Sequence, residues 1–371
     1  MELRSLLLLG LAGLSAGQYA QEDIDSGQVL LDLSQEAYDN AWARLENKTE
    51  GCTQQNVRIR KEWRDIPGPD RIDFVRAVNC LMDTESLNPD LPGARSRFDD
   101  FGVLHHQLSN YVHFSGSFLL FHRYFVWAYE EALRTECAYE GPFPYWNWGF
   151  DAHDVESSPL FDGSPTSLGS NGEYVPSGGG FFGMPPGSGG GCLIEGPFSN
   201  RTVNLGPGSG PDPYRYNPRC IRRDLNTPIA SEWTTHRNTT DVLLDSTDVE
   251  SFQALMQGDT RYPEAIGLGM AIHGGGHFAI GGDPGGDFNW SPLEPAFYLH
   301  HGQVDRLYFI WQNLDWENRQ NISGTATMYN RPPSDELTLD DVMDIAPLGE
   351  PRTFRELMDT IGESPFCFLY E

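Results

Sequence analysis

Basic residues are scarce in this chain. Its 371 residues hold 25 Lys and Arg against 53 Asp and Glu, a formal net charge of −28. Nucleic acid and anionic membranes are bound through clustered Lys and Arg facing phosphate, so neither is an expected partner. Beyond the first residues no apolar run is long enough to span a bilayer as a helix. No internal repeat at a solenoid period is present either. What remains is an acidic, solvated surface around an ordinary apolar core.

The one early apolar run has the layout of a leader. Met1-Glu2-Leu3-Arg4 precedes the run from Ser5 to Gly13, and the small residues Ser15-Ala16-Gly17 follow, as in a secretory signal peptide cleaved near Gly17. Residues 1–17 are therefore expected to be removed and the protein to be secreted and extracellular. Six cysteines fit an oxidising compartment and up to three disulfides, although sequence alone does not assign the pairs. Cys192 with Cys220, bracketing one loop, is the favoured pair. N-linked glycans are expected at the sequons of Asn47, Asn200, Asn238 and Asn321. Asn289-Trp290-Ser291 fits formally but is discounted, because Pro292 follows it.

Apolar spacing predicts helices at 34–46 with Ser34 as cap, at 70–81, from 95 through His105, and over 116–137. Further helical patterns occupy 249–256, 265–278 and 294–314. The last opens either at the Ser291-Pro292-Leu293-Glu294 pattern or at Glu294 with Pro295 in the first turn. Residues 157–225 are dense in Gly, Pro and Ser, so long irregular loops with few short strands are expected there. The expected fold is mainly α, a central four-helix bundle with residues 18–371 as one domain.

Chemistry concentrates in the histidines. His105, His113 and His122 form an early group; His273, His277 and His301 form a late one. His273 and His277 are four apart, which puts both rings on one helix face, a spacing that lets two side chains hold one metal. Gly274, Gly275 and Gly276 lie between them, and each helical Gly costs roughly 0.5–1 kcal/mol relative to Ala. Something must offset that cost, and metal ligation or a close approach to the glycine backbone would do so. The gaps in the early group suit one ligand on each of two helices and one on their connection. A lone buried His is usually a hydrogen-bonded core residue, but six in this arrangement point to two metals. Imidazole-only ligation suits Zn, Cu, Fe or Ni. His105-His106 and His300-His301 each offer two candidates about 100° apart on a helix, so one of each pair should coordinate. His106, His153, His236 and His300 are read as structural or surface residues, with His300 a further candidate for the pocket lining. A zinc protease needs Glu after the first His of the His273–His277 pair, and Gly274 stands there.

These runs resemble a known family. Asp99-Asp100-Phe101, Phe121-His122-Arg123-Tyr124-Phe125, Pro144-Tyr145-Trp146-Asn147-Trp148, His273-x-x-x-His277 with Gly281-Gly282, and Ser291 to Pro295 leading to His300-His301-x-x-x-Asp305-Arg306 are similar to tyrosinases and catechol oxidases. The likeness is closest to the short secreted fungal members and covers about 40–315. The resemblance implies two copper ions, O2 as co-substrate, and oxidation of o-diphenols to o-quinones, with some substituted monophenols or o-aminophenols as further substrates. It implies His105, His113, His122, His273, His277 and His301 as the ligands. Asp305 is a candidate acceptor for a ligand imidazole, weighed equally against an ion pair with Arg306.

Departures narrow the implication. Many members carry a Cys two residues before the second ligand; Tyr111 stands there, so no thioether crosslink is expected. Tyrosinases often carry Asn after the first ligand of the second site, paired with a Glu that holds a water. Here the position is Gly274, and Glu264 is the candidate for the Glu. The usual route of monophenol hydroxylation is therefore not expected, although short fungal relatives without the Asn still act on some phenols. Phe278 and Phe288 are candidates for the wall and gate of the substrate pocket, weighed against plain core packing. With about 70 residues after His301, no C-terminal shielding domain is expected, and the protein is expected to be a monomer or weak dimer. The rival reading is a reversible O2 carrier of the hemocyanin type.

Overall fold

Apolar periodicity places most of the helices. In the computed structural model, which describes residues 19–176, 180, 182–208, 210–362 and 364–371, ten α-helices appear in chain order. They are α1 Gln21–Ser26, α2 Gln28–Arg44, α3 Gly68–Asp83, α4 Arg97–Val112, α5 Phe118–Cys137, α6 Thr227–Trp233, α7 His236–Asp245, α8 Val249–Gln257, α9 Ala271–Ile280 and α10 Phe297–Leu314. The expected signal segment 1–17 lies outside the described residues. Short strands β1 Arg58–Glu62, β2 Pro144–Tyr145, β3 Gly172–Tyr174, β4 Gly190–Leu193, β5 Thr202–Val203, β6 Arg219–Cys220, β7 Val342–Met343, β8 Arg352–Thr353 and β9 Phe368–Tyr370 complete the fold. The architecture is mainly α, as the patterning implies.

Helices α4, α5, α9 and α10 form the central bundle and carry five of the six ligand candidates, the sixth, His113, directly following α4. α5 and α10 are buried along almost their whole length, from Phe118 to Cys137 and from Phe297 to Asn313. That explains why their sequences lack a polar face: α3 and α4 cover α5, while α2 covers α10. Ser96 opens α4 by a capping box, its hydroxyl accepting from Asp99 N–H while the Asp99 carboxylate accepts from the Ser96 N–H.

Several boundaries differ from the sequence expectation. α2 begins six residues earlier than predicted, after Gly27 in the left-handed region (φ 84°), so Ser34 is a buried interior residue rather than a cap. α10 begins at Phe297, because Ser291–Leu293 forms a separate 3-10 turn. The Glu294 carboxylate accepts from Ala296 N–H at 3.2 Å and pairs with the buried Arg223. α6 and α7, short and polar, were not legible from periodicity.

The Gly/Pro-rich stretch is held by two antiparallel strand pairs, β3–β4 and β5–β6, and by the Cys192–Cys220 disulfide. Cys80–Cys137 joins α3 to the end of α5, and Cys52–Cys367 ties the N-terminal third to the C-terminal segment. Parallel strand β9 lies on β1, with β2 on the other side.

A buried ion network sits under this sheet. Asp305 of α10 accepts from Arg123 Nε of α5 at 2.6 Å, from Tyr370 Oη of β9 at 2.7 Å and from Arg60 Nη1 of β1 at 3.4 Å. Arg60 also pairs with Glu130 at 2.8 Å, and Arg123 donates to Met358 O at 2.7 Å. Asp305 thus neither accepts from a ligand imidazole nor pairs with Arg306; its two oxygens are taken by groups from three other elements. Asp305→Ala would leave two buried guanidinium groups without their shared carboxylate and should destabilise the protein by about 3–5 kcal/mol. Urea unfolding measures this, and a loss below about 1 kcal/mol, typical of an exposed pair, would contradict the network's role.

Candidate metal centre

His105 projects from α4, His113 follows the last residue of that helix in extended backbone, and His122 lies one turn into α5. This is the helix, connection, helix arrangement that the spacing implied. All three are buried. Each Nδ1–H donates to a backbone carbonyl: His105 to Asn289 O at 2.9 Å, His113 to Ser109 O at 2.9 Å and His122 to Phe118 O at 2.8 Å. A carbonyl only accepts, so Nδ1 must carry the proton and Nε2 the lone pair. The Nε2 atoms of His105 and His122 are buried without a hydrogen-bond partner among the described residues.

The late group converges in the same way. His277 Nε2 is 3.2 Å from His273 Nε2 and 3.1 Å from His301 Nε2. Nitrogen lone pairs facing at that distance repel unless a proton or cation lies between them, and three inward-facing Nε2 atoms fit a metal better than a proton. His122 stacks on His301 with ring centroids 4.2 Å apart, so the two groups are contiguous. Phe297 wedges against His105, His277 and His301. Both groups, as the chemistry of their donors stands, suit a soft-to-borderline divalent or monovalent transition metal.

Burial pushes the His105 and His277 imidazoles down to about 3 and His113 to about 4, with the neighbouring histidines adding to the effect for His105 and His277. Burial also holds His122, His273 and His301 well below the usual imidazole value, with neighbouring histidines adding to the effect. Neutral imidazole is the form that binds metal.

His300, read as a structural or surface residue, is fully buried; its ring lies 4.3 Å from that of His277, and neither ring nitrogen has a side-chain partner among the described residues. It belongs to a group of four with His273, His277 and His301. The three glycines of α9 now have separate reasons. A Cβ at Gly276 would lie 2.3 Å from His300 Nδ1, and one at Gly275 would lie 2.6 Å from Trp233 Cβ. At Gly274 a Cβ would meet only Met270 Cβ at 3.0 Å, and the position faces a cavity.

That cavity, of about 330 Å³, reaches His113, His273 and His277. Phe114, Phe182, Phe278, Phe288 and Tyr329 supply its aromatic walls. Phe288 is 45% exposed and its ring lies 4.6 Å from His113, so it stands at the mouth rather than in the core. Phe278 is half-buried in the wall. Contrary to expectation, Glu264 is exposed in the turn Pro263–Ala265 and borders a different cavity with Trp233 and Asp245, so it is not placed to hold a water beside Gly274. The one carboxylate lining the histidine cavity among the described residues is Asp287, whose oxygens accept from the backbone N–H groups of Gly208, Asn289 and Trp290.

The sequence pattern of the common central domain of tyrosinase matches residues 95–314, which span all six histidines. The chain belongs to the tyrosinase family. It is 38% identical over 334 residues to Tyrosinase P of Aspergillus terreus, covering 84% of this chain and 91% of that protein. It is 33% identical to the N-acetyl-6-hydroxytryptophan oxidase of Emericella nidulans, over 86% and 94% of the two chains. The solved structure of a Gly-to-Asn variant of a polyphenol oxidase from Thermothelomyces thermophila superposes with a TM-score of 0.87 at 35% identity, covering 94% of this chain and all of that one. Membership in this family makes the protein an oxidase and makes copper the metal expected at the two histidine groups.

The histidines impose a pH dependence. An unfolded chain protonates its imidazoles near 6.5, whereas the folded one refuses protons down to about 4 at His113 and about 3 at His105 and His277. Below 6.5 the unfolded state therefore binds more protons, and stability falls as pH falls through that window. The thermal midpoint of the metal-free protein should drop steadily between those values; a flat profile would contradict neutral burial.

Proposed function

We propose that the protein is a secreted copper oxidase that converts o-diphenols to o-quinones with O2, and that extends to some substituted monophenols or o-aminophenols. His105, His113 and His122 would hold one copper ion, and His273, His277 and His301 the other. When bound, the copper pair supplies the two-electron oxidation of the diphenol by O2. The observation that carries this reading is the opening of both histidine groups onto one aromatic cavity of about 330 Å³, since a buried centre that only stored O2 has no need of a phenol-sized approach.

The chain's own residues then bind and orient. Phe288 at the mouth and Phe278 in the wall offer ring faces to an aryl substrate. Backbone carbonyls keep Nδ1 protonated on the first three histidines, so those rings neither rotate nor take up the phenolic proton. Gly274 presents no amide to the cavity and Glu264 lies elsewhere, so the wall lacks the pair that would hold a water for deprotonating a monophenol. The hydroxyindole named for the Emericella nidulans relative indicates that bulkier phenols belong among the substrates to be tried.

Secretion and a single domain from residue 18 onward form part of the same proposal, supported by three disulfides. No helix among the described residues is long and apolar enough to cross a membrane. Glycans are proposed on Asn47, Asn200 and Asn321, which are exposed, rather than on Asn238, which is half-buried with Thr240 buried beside it. We further propose a monomer or weak dimer.

Oxygen consumption by the copper-loaded protein with catechols, aminophenols and monophenols tests the reading. Turnover of catechols is expected; reversible O2 binding without turnover of any of them would replace the enzyme by a carrier. Gly274→Asn should raise the ratio of monophenol to diphenol turnover, because the new amide enters the cavity with only Met270 to shift. An unchanged ratio would remove Gly274 from the account of selectivity.

A further inference from the structure

A second cavity, of about 420 Å³, lies against α2, β1, β2 and α10 and shares no lining residue with the histidine cavity. Its wall contains an unusual arginine. Arg60, Arg123 and Arg223 are fully buried, and each is paired with a carboxylate. Arg306 is 1% exposed, yet it makes no ion pair among the described residues. Its neighbour Asp305 is already taken by Arg60, Arg123 and Tyr370. Nη2 of Arg306 donates to Ser34 Oγ at 2.9 Å and the guanidinium lies 4.8 Å over the Tyr145 ring, while Nε and Nη1 have no hydrogen-bond partner among the described residues.

A buried cation left without a counter-charge is costly, and the cavity beside it is where one can enter. The same wall holds a complementary orphan: Asn147 Oδ1, an acceptor, is buried without a donor. The wall also carries carboxylates: the buried Glu62 pairs with Arg64 at 3.0 Å and the exposed Glu371 with Lys61 at 2.7 Å, whereas the exposed Asp65 makes no ion pair among the described residues. A simple anion would meet Arg306 but also the uncompensated charge of Asp65. A molecule with a carboxylate at one end and an ammonium close by satisfies both. Leu31, Tyr38 and Phe150 add an apolar side to the opening.

We propose that this cavity is a binding site for a small zwitterion of the amino-acid type. Its carboxylate is held by Arg306, its ammonium faces Asn147 Oδ1 and Asp65, and an apolar side chain lies against Leu31, Tyr38 and Phe150. The site is independent of copper and of the oxidase reading.

Isothermal titration of the full mature chain with L-phenylalanine tests it, since that ligand has no phenol to oxidise. Phenethylamine and 3-phenylpropionate, each keeping one of the two charges, serve as controls. Saturable one-to-one binding of phenylalanine is expected, with each control weaker by about tenfold or more, the loss of one charge-assisted hydrogen bond. Arg306→Lys should weaken binding similarly. Because that change falls in the core, Leu31→Trp provides a second arm: Leu31 is 46% exposed at the cavity opening, so the larger ring should block entry while circular dichroism stays unchanged. No saturable binding to the wild-type chain overturns the proposal, as does binding that is unchanged in a folded Arg306→Lys or Leu31→Trp protein, or controls that bind as well as phenylalanine.

Discussion

Imidazoles stripped of water and turned toward one another are the constraint around which this molecule is built. Protonated, the rings would repel; neutral, they still need their nitrogens satisfied in a dry interior. Backbone carbonyls meet half of that need in the early group by accepting the Nδ1 protons. The remaining lone pairs are left pointing inward, which is useless for folding and suited to a cation. A centre of this kind lowers the stability of the metal-free chain and is compensated by the surrounding packing, the three disulfides and, when present, the metal itself.

That compensation is visible in how the two halves of the centre are clamped. α5 carries His122 and Arg123 in succession, and α10 carries His301 and, four residues later, Asp305. The Arg123–Asp305 pair therefore locks the two helices one turn from the point where their histidines stack. Arg60 and Tyr370 extend the lock to β1 and β9, and Cys52–Cys367 links the segments that lead into those strands. Residues near 370 thus help to position a site whose histidines end at residue 301. Arg306, next in the chain, points away from this lock into a second cavity, so one turn of α10 serves two unlike sites.

The glycines of α9 show how a sequence feature acquires different meanings at adjacent positions. Three in a row look like a single device in the sequence, a bare helix face. In space Gly276 admits His300, Gly275 admits Trp233, and Gly274 alone borders the cavity. The first two are packing requirements between helices, and the third concerns what a substrate meets.

Much of this was legible in the chain. The four-residue step from His273 to His277, the doubled His300-His301 before Asp305, and the apolar stripes of α3, α4 and α5 determine helices, their faces and the histidine groups, because helical geometry is local and its period is written residue by residue. The Cys192–Cys220 pair, favoured because both cysteines bracket one loop, is formed, but the other two pairs were left open by the sequence. The placement of Glu264, the burial of His300, the partners of Asp305 and the Asn289 carbonyl that orients His105 from 184 residues away were not legible. Each depends on which distant elements pack together, and no periodicity along the chain encodes the direction in which a turn such as Pro263–Ala265 leads the backbone. The sequence by itself determined that histidines would meet on helices; only the tertiary structure decided which nitrogen each turns inward, because the acceptors that choose the tautomer are partly contributed by segments remote in the chain.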